Sequence, residues 1–265
     1  MRLETILDFL EQMAPVRLAA EWDNVGLLIG DRSAEAERAM ACLTVTPASV
    51  AEAIDGGAEL IISHHPFPFH ALKRVTSASP DGRMLLALIA AQIAVYSPHT
   101  AFDSAQEGIN QWLAEGLGLR GVVPLVPADA GQGTGRWGWL AEETSLQALA
   151  RRVAGLLRLQ YLQVVGEAER RVRSVGIACG AAGDLLGTAD QVGCDCFLVG
   201  ETRFHTCLEA EARGMTLILP GHFASERFAV ERLAERVGTR FPELTIWASR
   251  AERDPLRWMK AETAG

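Results

Sequence analysis

Leu60-Ile61-Ile62-Ser63-His64-His65 is an apolar strand that ends in two adjacent imidazoles, and the same pattern recurs twice. Ile93-Ala94-Val95-Tyr96 leads to His99 and Asp103, and Leu217-Ile218-Leu219-Pro220 leads to His222 and Glu226. In an open α/β sheet, ligand sites are built just past the carboxyl ends of the strands. Zinc, iron and manganese accept this mixture of nitrogen and oxygen donors. The side chains at these edges outnumber the positions of one closed tetrahedral ion, so the pattern predicts a two-metal site. On an extended strand, His64 and His65 would face opposite ways; at a strand end, two divergent imidazoles can reach neighbouring ions. Alone, each cluster also has a plainer reading. His64-His65 would be a polar strand end, Asp103 the N-cap of a following helix, and Glu226 a first-turn carboxylate with Ser225 as N-cap. Three coincidences of that kind are harder to accept than one site.

Working outward, Leu3, Ile6, Leu7, Leu10 and Met13 recur at helical spacing. Pro47 and Gly56-Gly57 bracket a helix between strands ending near Val45 and Ser63. A helix near 82–91, a strand before His99 and a helix opened by Asp103-Ser104 follow. Strands separated by helices of this length indicate βαβ units. A Pro/Gly-rich stretch, 122–135, marks a boundary. The expected fold is α/β, with mostly parallel sheets and helices on both faces. Residues 1–128 and 216–265 would form a metal-binding domain, with 129–215 inserted as a second α/β domain.

With 49% hydrophobic and 22% charged residues among 265, the chain suits an ordinary globular protein. The net charge of −8 argues against a nucleic-acid partner or an anionic membrane surface. The basic region and apolar run of a secretory signal are absent, and no apolar run approaches the roughly 20 residues of a membrane span, so a cytoplasmic location is expected. The five cysteines are odd in number and sit in apolar runs, as buried thiols do. Cys194-Asp195-Cys196 admits a metal or redox reading, but in a strand the two thiols would share one face, and the apolar continuation Phe197-Leu198-Val199 favours the core. Gly133-Thr134-Gly135-Arg136-Trp137-Gly138 lacks the ending of a phosphate loop and reads as a tight turn, although Arg136 is available to an anionic substrate. Trp22-Asp23-Asn24 reads equally as a pocket wall or as plain packing.

Trp22-Asp23-Asn24-Val25-Gly26-Leu27, Ser63-His64-His65-Pro66, His99-Thr100 with Asp103, Gly133 to Gly138, Gly200-Glu201 with His205, and Gly221-His222 with Ser225-Glu226 stand in a familiar order. From about residue 22 to 227 the chain resembles the NIF-three-like family of dinuclear metal-centre proteins, the GTP cyclohydrolase I type 2 homologs. The resemblance implies two divalent ions per subunit (zinc, iron or manganese), a toroidal homohexamer, and His64, His65, Asp103, His222 and Glu226 as ligands, with Glu226 bridging. It implies pocket roles for His99 and His205. The chain departs from the pattern at Phe67-Pro68-Phe69, at Thr206 and in Cys179-Gly180-Ala181-Ala182-Gly183. Two functions follow as expectations. One is a metal-dependent hydrolase of a small molecule, such as a purine nucleotide, with His99 or His205 moving a proton. The other is a non-catalytic protein for metal storage, delivery or regulatory scaffolding.

Overall fold

A computed structural model describes residues 1–129 and 131–259. Helix α1 (Leu3–Met13) is followed by strands β1 (Gly26–Ile29) and β2 (Arg38–Cys42), helix α2 (Pro47–Asp55), β3 (Leu60–Ser63), α3 (Pro80–Ala90) and β4 (Ala94–Ser97). Next come α4 (His99–Ser104), α5 (Ile109–Gly116), β5 (Arg120–Val123), β6 (Val126–Pro127), β7 (Gly133–Thr134), β8 (Arg136–Ser145) and α6 (Leu146–Leu157). The chain continues through β9 (Gln163–Val165), β10 (Arg171–Ala178), α7 (Leu186–Gln191), β11 (Cys196–Val199) and α8 (Phe204–Ala212). It closes with β12 (Thr216–Leu219), α9 (His222–Arg240) and β13 (Thr245–Ala248).

These strands form two main sheets, ordered β1-β4-β3-β2-β13 and β5-β8-β10-β11-β12-β9. The first is mostly parallel, with only β1 running antiparallel to its neighbour. The second is mixed: β10-β11 and β11-β12 are parallel, and the other three pairs are antiparallel. That departs from the mostly parallel expectation, because the hydrogen-bonded neighbours of β5, β8 and β9 cannot be read from local hydrophobic pattern. Strands β5 and β12 pair in the second sheet, with β8 and β11 respectively. The chain returns to the first sheet only at β13, which pairs with β2.

Alternation along the strands assigns their faces. Ala39, Leu60, Ile62 and Tyr96 of the first sheet share one core with Val175, Ile177, Leu198 and Ile218 of the second. Helices α1, α5, α6 and α9 fill that shared core. The opposite residues, Met40, Ile61 and Val95, pack on α2 and α3. Phe197, Val199 and Leu217 pack on α7 and α8. The result is five layers, helix-sheet-helix-sheet-helix. Each sheet is covered on both faces, which explains strands such as β3 that are buried at every position. The helix starts follow their sequence signals: Thr46 and Ser49 form a capping box that spans Pro47 at the first helical position, and Ser145 caps α6.

Three local expectations change. Asp103 lies inside α4 instead of opening a helix, and Gly108 precedes α5. Extended Ala105 breaks the helix between them. Helix α9 begins at His222 after Gly221, whose φ of 98° suits glycine, so Ser225 is not the N-cap. All five cysteines are free, but Cys194 and Cys196 pack into different cores instead of sharing a face.

Candidate metal centre

The carboxyl ends of β3 and β4 in one sheet meet those of β10, β11 and β12 in the other, and the ligand-type residues gather at this meeting. His64 and His65 leave β3, Asp103 comes from α4 beyond β4, and His222 and Glu226 come from the first turns of α9 beyond β12. Glu226 is at the centre. Its Oε2 lies 3.1 Å from His65 Nε2 and 3.2 Å from His222 Nε2, and those two nitrogens are 3.4 Å apart. Donors sharing a tetrahedral ion at about 2.0–2.1 Å stand about 3.3–3.4 Å from one another. The triangle therefore has the edge lengths of a coordination sphere. The other oxygen, Oε1, is 3.9 Å from His64 Nε2, which is also 3.7 Å from Asp103 Oδ1. Both nitrogens of His64 and Oε2 of Glu226 are buried without a hydrogen-bond partner. Orphaned buried polar atoms of this kind are costly unless something satisfies them. The donors, imidazole and carboxylate, fit a divalent metal ion.

Second contacts aim the ligands. Thr44 Oγ1 meets His65 Nδ1 at 2.7 Å, and Glu201 Oε1 meets His222 Nδ1 at 3.0 Å. Such partners leave Nε2 as the metal-facing atom. The Cys179 thiol donates to Asp103 Oδ1 at 3.2 Å. Gly180, at φ +63°, passes so close to Glu226 that a Cβ there would lie 2.4 Å from Oε1. Ser225 Oγ accepts from the Gly180 N–H and donates to His222 O, joining the end of β10 to the start of α9.

The electrostatics match a site prepared for cations. Burial drives His64 well below its ordinary pKa, which keeps its imidazole neutral. Burial, and then the charge of Glu226, pushes Asp103 up to about 7. Burial opposes ionisation of Glu226 too, but the close imidazoles of His222 and His65 outweigh it and hold that carboxyl far below its usual range. Contact with Glu226 raises His222 to about 9.

His99 lies beside the cluster, its ring centroid 5.2 Å from that of His64 and 5.5 Å from that of His65. Its Nδ1 is 2.8 Å from Asp23 Oδ1, while Thr100 N–H donates to Oδ2 at 3.1 Å. Burial opposes the charge of Asp23, yet the hydrogen bonds from His99 and Thr100 bring it down to about 2. Burial likewise opposes a charge on His99, but Asp23 and the other carboxylates raise its pKa. The backbone of His99 sits at φ 27°, a region non-glycine residues seldom enter, at a cost of about 1–3 kcal/mol. One ligand atom from each of His64, His65 and His99 lies within 4.8 Å of the others, so His99 is also within ligand range.

A cavity of about 910 Å³ opens over this cluster, with Trp22, Phe69, Thr134 and Leu185 among its walls. That is ample for a small molecule. His205 is not among the lining residues; it is exposed on α8. Arg136 is not available to an anion either. It is 1% exposed and donates to the carbonyls of Gly133, Gly135, Ser104 and Ala105 and to Gln111. Burial lowers its pKa to about 10. Gly133–Gly138 is not one tight turn: Gly133–Thr134 belong to β7 and Arg136–Gly138 to β8, and only Gly135, at φ 64°, bends the chain between them. Sequence reasoning missed Thr44, Glu201, Cys179 and Gly180 as partners of the ligands. Glu201 and Asp23 lay in quoted motifs, so a signal for them was present.

The family whose model matches residues 1–255 is Duf34/NIF3 (NGG1p interacting factor 3). A Clostridium perfringens protein named GTP cyclohydrolase 1 type 2 homolog is 30% identical over 262 residues, covering 98% of this chain and 100% of that one. NIF3-like protein 1 of Drosophila melanogaster is 32% identical over 262 residues, covering 96% and 88%. Among solved structures, a Bacillus cereus protein related to NIF3 has the same fold, with a TM-score of 0.90 at 24% identity over 98% of this chain and 99% of that one. HcgD from Methanocaldococcus jannaschii superposes with a TM-score of 0.82 at 24% identity over 94% and 97%. Motif order, fold and matched length agree: the chain belongs to the Duf34/NIF3 family.

Proposed function

We propose that the chain is a dinuclear metal-dependent hydrolase of a small molecule. One observation carries this reading: a buried imidazole-carboxylate cluster opens directly onto a cavity of about 910 Å³, with a carboxylate-anchored histidine at its edge. His65, His222 and Glu226 Oε2 would hold one ion, and His64, Asp103 and Glu226 Oε1 the other. When bound, such ions supply Lewis acidity and bring the pKa of water toward neutrality. Asp23 fixes the ring of His99 through Nδ1, leaving Nε2 to take a proton from the nucleophile or return one to the leaving group. The walls of the cavity orient the substrate. The names of the curated relatives support a nucleotide as substrate. The hexamer implied by the resemblance belongs to the same proposal, and light scattering that returns a monomer at micromolar concentration overturns it. Among the described residues no helix is long and apolar enough to cross a membrane.

The test is a turnover screen of metal-loaded and metal-free protein against nucleotides, phosphoesters and peptides. Metal-dependent hydrolysis of one class is expected. His99→Ala should keep its metal and lose about 10²–10⁴-fold in turnover. If His99→Ala strips metal instead, His99 is a ligand. Tight metal binding with no hydrolysis would replace the enzyme by the storage or delivery reading. That second reading draws on His222, whose side chain is 35% exposed and so would leave an ion it held accessible to an acceptor.

A further inference from the structure

Trp22 and Phe69 are large apolar side chains left 68% and 50% exposed at the mouth of the cavity. Exposed aromatic surface grouped beside a polar site marks a place where something binds. Their ring centroids are 6.5 Å apart at an interplanar angle of 48°. A flat ring in van der Waals contact with two aromatic faces needs about 7 Å between them. The pair is therefore close to the opening of a clamp, and half-exposed side chains can turn the remaining angle. His99 forms its floor, 5.9 Å from Trp22 and 6.2 Å from Phe69, and is itself 5.2 Å from His64. A ring held there lies one side chain away from the metal-ligand cluster.

Both jaws are carried by anchored backbone. Trp22 rides a turn in which Asp23 N–H donates to Ala20 O and Ala20 N–H donates to Thr100 Oγ1. The Asp23 carboxylate ties that turn to His99 and Thr100. Phe69 follows Phe67, which is buried in the core against Met84 and Leu88. Each segment thus buries one group and holds the neighbouring aromatic out over the opening. An aliphatic or purely phosphorylated substrate would leave both faces in water.

We infer that Trp22 and Phe69 clamp a planar heteroaromatic ring of the substrate above His99. This inference rests on the hydrolase reading of the same site. Stacking on aromatic side chains tolerates many ring types, so the pair selects flatness and aromaticity, while other wall residues select the ring.

The experiment is calorimetric binding to metal-loaded protein of guanosine 5′-monophosphate, adenosine 5′-monophosphate and nicotinamide mononucleotide, each against ribose 5-phosphate. The last keeps the sugar and phosphate but lacks the ring. At least one ring-bearing ligand should bind wild type about tenfold or more tightly than ribose 5-phosphate. Trp22→Ala and Phe69→Ala should erase that preference while leaving metal content and assembly as in wild type, and Trp22→Phe should retain it. The clamp is overturned if wild type shows no ring preference or if both alanine variants keep it. It is also overturned if these variants dissociate in light scattering, because the rings then belong to an interface. Turnover of a ring-free phosphoester with no ring preference removes the clamp and leaves the hydrolase. Ring preference without turnover of any compound does the reverse.

Discussion

Glu226 is ionised although it is almost fully buried, because two imidazoles converge on one of its oxygens. Removing either side of that contact should release metal. His65→Ala and Glu226→Ala are expected to lose ion content in elemental analysis, and full occupancy in both would overturn the ligand assignment. Asp103 contributes to the pH dependence of the metal-free protein. Its folded pKa of about 7 lies above the unfolded value of about 3.9, so its contribution to stability is fully present below about pH 4. That contribution is lost as pH rises through about 7, where burial beside Glu226 penalises the ionised form. Metal-free Asp103→Asn should therefore be more stable than metal-free wild type at pH 8, with the gap closing toward pH 5. Urea denaturation measures it, and a pH-independent difference would contradict it. With metal bound, the order should reverse, because the ligand is gone.

At the scale of elements, Arg136 is the fastener. Its guanidinium holds the carbonyls of Ser104 and Ala105 at the end of α4 against the turn that leads into β8. Helix α4 carries Asp103 and His99, so this side chain, together with the Cys179–Asp103 contact, holds them against the second sheet. Arg136→Met leaves several buried carbonyls unsatisfied and should cost about 2–4 kcal/mol in urea denaturation. A loss below about 0.5 kcal/mol would show that the turn holds without it. The elements themselves were largely legible in the sequence. Helix α2 was readable from Pro47 and Gly56-Gly57 to the residue, because capping chemistry is local. Strand partners were not. Leu217-Ile218-Leu219 would be equally apolar in either sheet, and pairing with β11 is decided by contacts distant in sequence. Helix α8 escaped notice because its exposed Phe204 and Leu208 blur the amphipathic stripe. The ligand-type residues stood out as strand-end clusters, whereas Thr44 and Cys179 carry no sequence mark of their aim at His65 and Asp103.

For the molecule as a whole, the centre joins parts that are far apart along the chain. Residues 64–65 and 103 belong to the first sheet and its following helix, and residues 222 and 226 follow a strand of the second. On the proposed assignment each ion would take ligands from both sides, so the pair would tie the two sheets together and binding would add directly to global stability. Metal at 100 times its dissociation constant should contribute about 2.7 kcal/mol per site. Chelation is expected to lower the unfolding temperature by several degrees and re-addition of metal to restore it. An unfolding temperature indifferent to chelator would place the ion outside the folded core of the site.

The late return of β13 to the first sheet has a consequence for synthesis. On the ribosome, β1 to β4 emerge within the first 97 residues, but the partner of β2 is not made until residues 245–248. For roughly 150 intervening residues the β2 side of the nascent sheet has no native partner, and an unpaired strand edge invites pairing with other chains. Glu37 and Arg38 put charge at the start of that edge. Chaperone protection of the nascent chain would be needed most in this interval, and translation that stops short of β13 would release a fragment with an open strand.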